Sequence, residues 1–145
     1  MITIENARVL FKNFSGTPSD FNRDGVKTCS IILPPDLADQ LSAEGWNVRA
    51  YQRNPEEPPV FFTELAINFG GRPPMIYRVA GNTKTLLDEN TIKVLDAEDI
   101  VYVDVVVSPY QWSVGAKSGI KGYVHTMYAV VEEDVFAGKY ANIGM

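Results

Sequence analysis

The sequence predicts a mainly β fold, a small antiparallel barrel or sandwich with one or two short helices, and three observations predict it. Short runs of alternating or β-branched residues recur along all 145 residues, clusters of turn formers separate them, and only two stretches have helical spacing. Apolar residues make up 46% and charged residues 21%, a balance that supports a packed core and excludes a disordered chain. At this length a single domain over residues 1–145 is expected, burying roughly two-thirds of its unfolded surface.

The elements follow in order. ITIENARVLF (2–11) reads as one strand, and KNFSGTPSDFNRDG follows as a loop built from Gly, Pro, Ser, Asp and Asn. VKTCSIIL (26–33) is a second strand. In PPDLADQLSAEG (34–45), Pro34 and Pro35 suit a helix entry, Leu37, Ala38 and Leu41 share a face, and Gly45 can end the helix. WNVRAYQRN (46–54) is a third strand closed by the turn-rich NPEEPP, and VFFTELAINF (60–69) a fourth, with Phe61, Thr63, Leu65, Ile67 and Phe69 on one side. After GGRPP comes the strand MIYRVAG (75–81), then a second short helix in DENTIKVLDAED (88–99) that places Ile92 and Leu95 against the sheet. IVYVDVVVSPY (100–110) and IKGYVHTMYAVVEE (120–133) are the longest late strands, and residues 135–145 form a loose extension. Five or six strands with an intervening helix can close into an oligonucleotide-binding-type (OB) barrel, and a jelly-roll-like sandwich has nearly the same periodicity.

Charge is unevenly spread. The net charge is −5, yet residues 1–87 carry nine Lys/Arg and nine Asp/Glu, so the excess acid lies in residues 88–145, with four and nine. Residues 105–131 contain no carboxylate, and their only formal charges are Lys117 and Lys121. Local potential steers a ligand more than net charge does, so an acidic chain can still present a basic face. No apolar run approaches the ~20 residues of a membrane span and MITIENARVLFKNF lacks the layout of a signal peptide, so a cytoplasmic location without membrane attachment is expected.

Catalytic chemistry finds little support. His125 is the only histidine and Cys29 the only cysteine, which excludes a multi-His or multi-Cys zinc site and any intrachain disulfide. Cys29 reads as a small buried side chain. The runs Asp96, Glu98, Asp99 and Glu132, Glu133, Asp134 could hold a divalent cation, but such runs are usually solvated surface. Neither GTPSDFNRDG nor VGAKSGIKG has the GxxxxGK[ST] spacing of a phosphate loop. No catalytic residue, cofactor or metal is expected.

Binding finds more. Side chains alternate across a strand, so Arg49, Tyr51 and Arg53 share one face with Asn47, while Trp46, Val48 and Ala50 share the other. The same rule groups Lys121, Tyr123 and His125 opposite Ile120, Val124 and Tyr128. Cations beside flat rings are what a single nucleic-acid strand requires: phosphates attract Lys and Arg, and unpaired bases stack on aromatic faces. Read one strand at a time, Tyr51 and Tyr123 are better explained as half-buried sheet residues among solubilising charges; two such strands in one chain, with a window free of acid, bring the two explanations level. Gly115, Gly119 and Gly122 predict a mobile basic hairpin loop around Lys117 and Lys121. The loop with Phe21, Asn22, Arg23 and Lys27 is similar, Phe21 stacking on a base or capping the core, and Trp112 suits either an exposed or a buried position.

Taken in order, FNR followed by a strand, GWNV, SPYQW and GIKGYV within FNRDGVKTCSIILPPDLADQLSAEGWNVRAYQ, EDIVYVDVVVSPYQW and GIKGYVHTMYAVVEEDVFAGKY resemble a family of tailed-bacteriophage single-stranded DNA-binding proteins with an OB barrel. The resemblance covers residues 20–135. It implies a non-enzymatic protein that coats and protects transient single strands during phage DNA replication or recombination, with replication or recombination proteins as partners, in the host cytoplasm. By position it carries the binding surface to Arg23 and Lys27, to Arg49 through Arg53, and to Trp112 through Tyr123. One departure is the tail: such proteins often end in a long acidic segment, whereas here VFAGKYANIGM follows Glu132, Glu133 and Asp134. A free barrel edge also offers a route to a homodimer. The competing expectation is a structural or protein-interaction β-domain of a virus particle, and a magnesium-dependent nuclease ranks last.

Overall fold

The computed structural model describes residues 1–20, 22 and 24–132. The single strand expected at the start is two, β1 (Ile2–Ala7) and β2 (Val9–Asn13), because the chain bends at Arg8 and bulges on either side of it. There follow β3 (Lys27–Leu33), α1 (Pro35–Glu44), β4 (Val48–Tyr51), β5 (Val60–Ile67), β6 (Met75–Ala80), β7 (Thr83–Leu87), a short 3-10 helix (Ile92–Asp96), β8 (Ile100–Val114) and β9 (Lys117–Val131). β7 was not expected: NTKTLL is polar up to Thr85 and exposed until Leu87, so it carries no alternation to read.

The strands form one sheet in the order β1-β8-β9-β5-β3-β2, with β4 beside the first half of β5 on the edge that β9 takes further along, and the β6–β7 hairpin on β9. The expectation of an antiparallel barrel holds for its OB-type, mainly β character but not in full. β9 runs parallel to β5 at Leu65/Gly122 and to β6 from Met75/Thr126 onward, so the sheet is mixed. Nor, among the described residues, does it close by a complete ladder. Its two ends, β1 and β2, are consecutive in the chain and meet across Arg8, whose carbonyl accepts the Ile32 N–H at 2.9 Å. The core between the curled walls includes Cys29, Ile31, Leu33, Leu65, Ile76, Val103, Val105, Val107 and Met127, and the 3-10 helix contributes Ile92 and Leu95 as expected.

Helix α1 fits its sequence cues. Pro35 stands in the first turn, Ala38 and Leu41 are buried, and Gly45 adopts the left-handed conformation at φ 106°. Its N–H reaches the Ser42 carbonyl and the next N–H, of Trp46, reaches back to Leu41 at 3.0 Å. That turn swings Trp46 into the core, where it is only 6% exposed.

One bulge changes the face assignments. Val107 pairs with Val124 and Val106 with Thr126, leaving His125 as an extra residue on β9. Alternation restarts beyond it, so Val124, Met127 and Ala129 point inward while Tyr128 points outward. The sequence expectation that Tyr128 lies opposite Tyr123 is therefore wrong: both are on the outer face.

Candidate nucleic-acid interface

The glycine-rich basic loop is instead a long two-stranded arm. β8 and β9 pair without interruption from Val107/Val124 to Val114/Lys117, and only Gly115 and Ala116 turn the chain, with Gly115 at φ 61°. Register places Trp112, Tyr110 and Ser108 of β8 on the same face as Gly119, Lys121 and Tyr123 of β9. Trp112 is 39% exposed, and its indole lies over Gly119, where a Cβ would come within 2.9 Å of Cζ2. Gly122 serves the core: a Cβ there would stand 2.6 Å from Trp46 Cζ3. These two glycines make room for tryptophans; they do not loosen a loop.

Lys117 stands exposed where the arm turns. Further down, Lys121 Nζ lies 5.5 Å from the centre of the Tyr123 ring, and the exposed Tyr110 meets Tyr123 edge-on at 6.1 Å. Where the arm joins the barrel, Tyr123 pairs with Ala66 of β5, and a surface depression there is lined by Lys27, Ala66, Lys121 and Tyr123 together with Glu89. Lys27 lines the same depression because β3, β5 and β9 are neighbours, although its register partner is the core residue Ile67, one position past Ala66.

The same outer face continues to β4. Parallel and antiparallel partners share a face, so Tyr123, Ala66, Glu64, Phe62 and Arg49 point to one side, with Tyr51 beside Val60. Four residues of β5, about 13 Å at strand rise, separate the partner of Arg49 from the partner of Tyr123. Tyr51 is 44% exposed. It meets Phe11 edge-on at 6.1 Å, and Phe11 in turn lies 5.3 Å from Phe62. Phe11 was passed over in the sequence because its φ of 50° breaks the strand alternation and turns a 59% exposed ring onto this face. Tyr110 and Phe62 were passed over as well. Arg53 lies just beyond β4 and is exposed. Phe21 and Arg23 lie outside the described residues, as does the 135–145 extension.

Other charged groups have structural partners. Asp96 accepts the Phe14 and Ser15 N–H groups at 2.8 and 2.9 Å, tying the end of β2 to the 3-10 helix. Glu98 pairs with Arg78 at 2.6 Å, and Lys12 Nζ donates to the Leu95 and Glu98 carbonyls. Asp88 holds the Thr91 and Asn90 N–H groups and the Thr91 hydroxyl, which keep its carboxyl below the usual range. Burial pushes the Cys29 thiol up to about 12, with Glu64 and Asp96 adding to the effect. Among the described residues no group of three or more His, Cys, Asp or Glu is placed to hold a metal ion.

The face thus offers rings and ammonium groups at spacings suited to stacking and to phosphate attraction, with Glu64 and Glu89 as acids beside it. In the sheet, β5 stands between β3 and the β8–β9 arm, so the three adjoin. Known proteins bear on this. The ssDNA-binding protein of bacteriophage Enc34, solved in complex with ssDNA, superposes with a TM-score of 0.59 at 10% identity, covering 91% of this chain and 86% of that one. Its C-terminally truncated form gives 0.57 at the same identity and coverage. Both show the shared fold. No curated protein matches in sequence. A family model described as "Putative phage ssDNA-binding domain" matches residues 1–145. The chain belongs to that family of phage ssDNA-binding domains.

Proposed function

We propose that this protein binds single-stranded DNA across the outer face of β4, β5 and β9 and along the β8–β9 arm. The observation that carries the reading is the arm, where Tyr110, Trp112, Lys121 and Tyr123 share one face within a stretch free of carboxylates. Lys27, Arg49, Arg53, Lys117 and Lys121 attract phosphates, and Tyr51, Trp112 and Tyr123 stack on bases. Family membership and a fold shared with a phage protein solved on ssDNA support it.

Its role is to coat and protect transient single strands during phage DNA replication or recombination, in the host cytoplasm and without catalysis of its own. Replication or recombination proteins are its expected partners, and β7, which among the described residues pairs only with β6, offers a sheet edge for a homodimer.

Fluorescence anisotropy with labelled oligo-dT, competed by a duplex, tests the reading. Binding to the single strand that resists duplex competitor and weakens as salt rises supports it, because phosphate contacts release counterions. No binding at low salt, together with stable high-order assembly by light scattering, would instead favour a structural β-domain.

A further inference from the structure

The outer face carries a second cluster of rings and charge away from the arm. Because of the bulge at His125, Tyr128 points outward, and on the neighbouring strand its partner Tyr77 stacks against it, centroids 4.9 Å apart and planes 13° from parallel. Lys84 of β7 leans over both, its Nζ 4.7 Å from the Tyr77 centre and 5.8 Å from that of Tyr128. Leu86, 54% exposed, flanks Tyr77 on the same side. The core has no use for this arrangement, since the inward positions of β6 and β9 are Ile76, Met127 and Ala129. Both rings are only half-buried, and the Lys84 ammonium group stands over the stack where it would meet a phosphate of a strand crossing it.

We infer that Tyr77, Tyr128 and Lys84 form a second base-stacking subsite for the same single strand, resting on the ssDNA-binding reading above. Tyr123 and Tyr128 are five residues apart on one face of β9, about 17 Å at strand rise, so a strand that leaves the arm at Tyr123 reaches the pair by following β9. Asp104, opposite Tyr128 on β8, is the nearest carboxylate by register, and its Oδ1 accepts the Asn6 N–H at 2.8 Å. The subsite makes the footprint longer than the arm and the β4–β5 face alone require.

The test is the affinity of the full chain and its variants for oligo-dT of graded length, from about 4 to 16 nucleotides, the span OB folds cover. Wild-type affinity should rise in two steps with length. Lys84→Ala should leave the short oligomers unchanged and lower the salt slope for the long ones by about one. Tyr128→Leu should abolish the second step, a loss of about fivefold to a hundredfold for the long oligomers, while Tyr128→Phe, which keeps the ring, restores it. If Lys84→Ala and Tyr128→Leu both match wild type at every length, the subsite is refuted and the arm reading stands. If the wild-type chain binds no oligo-dT, both readings fall.

Discussion

Gly122 of β9 faces the indole of Trp46 so closely that a Cβ on it would stand 2.6 Å from Cζ3, 2.9 Å from Leu65 Cδ2 and 3.0 Å from Val107 Cγ1. The arm is anchored here. Gly45 turns Trp46 inward, Trp46 needs a side chain missing from β9, and the next residue along, Tyr123, is thereby held against β5 on the outer face.

Gly122→Ala should therefore cost about 1–3 kcal/mol of stability through overpacking, lowering the melting temperature by several degrees. Gly119→Ala is the control. Its added methyl meets the half-exposed Trp112 ring, which can swing into solvent, so stability should hold while Trp112 emission shifts. Thermal melts of the two variants check the contrast, and equal melting temperatures would count against it.

Tyr123→Ala should weaken oligo-dT binding by about 1–3 kcal/mol while the fold persists, because its ring is half-exposed and the inward side of β9 is untouched. Lys121→Ala should instead act through charge, lowering the slope of log affinity against log salt by about one. Titrations at several salt concentrations separate the two effects.

Glu64 stands exposed on the outer face between Phe62 and Ala66, on the path between Arg49 and Tyr123. Glu64→Gln should tighten single-strand binding, by about 1 kcal/mol or less at low salt, and the gain should vanish at high salt. Unchanged affinity at low salt would take the strand off this part of β5.

Cys29 should resist thiol reagents at pH 8 in the native state and react only after unfolding. Its thiol is raised to about 12 when folded against an ordinary value of 9.0, so the unfolded chain loses this proton first. The associated stability is complete below pH 9 and declines as pH rises from about 9 towards 12. Comparing wild type with Cys29→Ala in denaturant melts across that range isolates the effect, since the variant lacks this part of the decline.

What the sequence revealed followed from regular alternation and from turn chemistry. The strands around Cys29 and Leu65, the helix between Pro35 and Gly45, and Ile92 and Leu95 packed on the sheet all obey simple periods, and the structure has each of them. Strict alternation fails wherever a residue is inserted. His125 shifts every later face assignment on β9, which is why Tyr128 was placed on the wrong side, and the left-handed Phe11 hides a ring on the binding face. The arm was mistaken for a loop because its glycines signal turns, whereas Gly119 and Gly122 are there to admit Trp112 and Trp46. That Lys27 and Lys121 line one depression depends on β5 lying between β3 and β9, a pairing that no local pattern encodes.

The claim that a single strand lies across the outer face is tested most directly by amide and aromatic NMR spectra of the 145-residue chain titrated with oligo-dT. The account predicts shifts concentrated at Lys27, Arg49, Tyr51, Tyr110, Trp112, Lys121 and Tyr123, with the solvent face of α1 around Asp36 and Asp39 unmoved. Shifts gathered on α1, or spectra that do not change at saturating oligonucleotide, would contradict it.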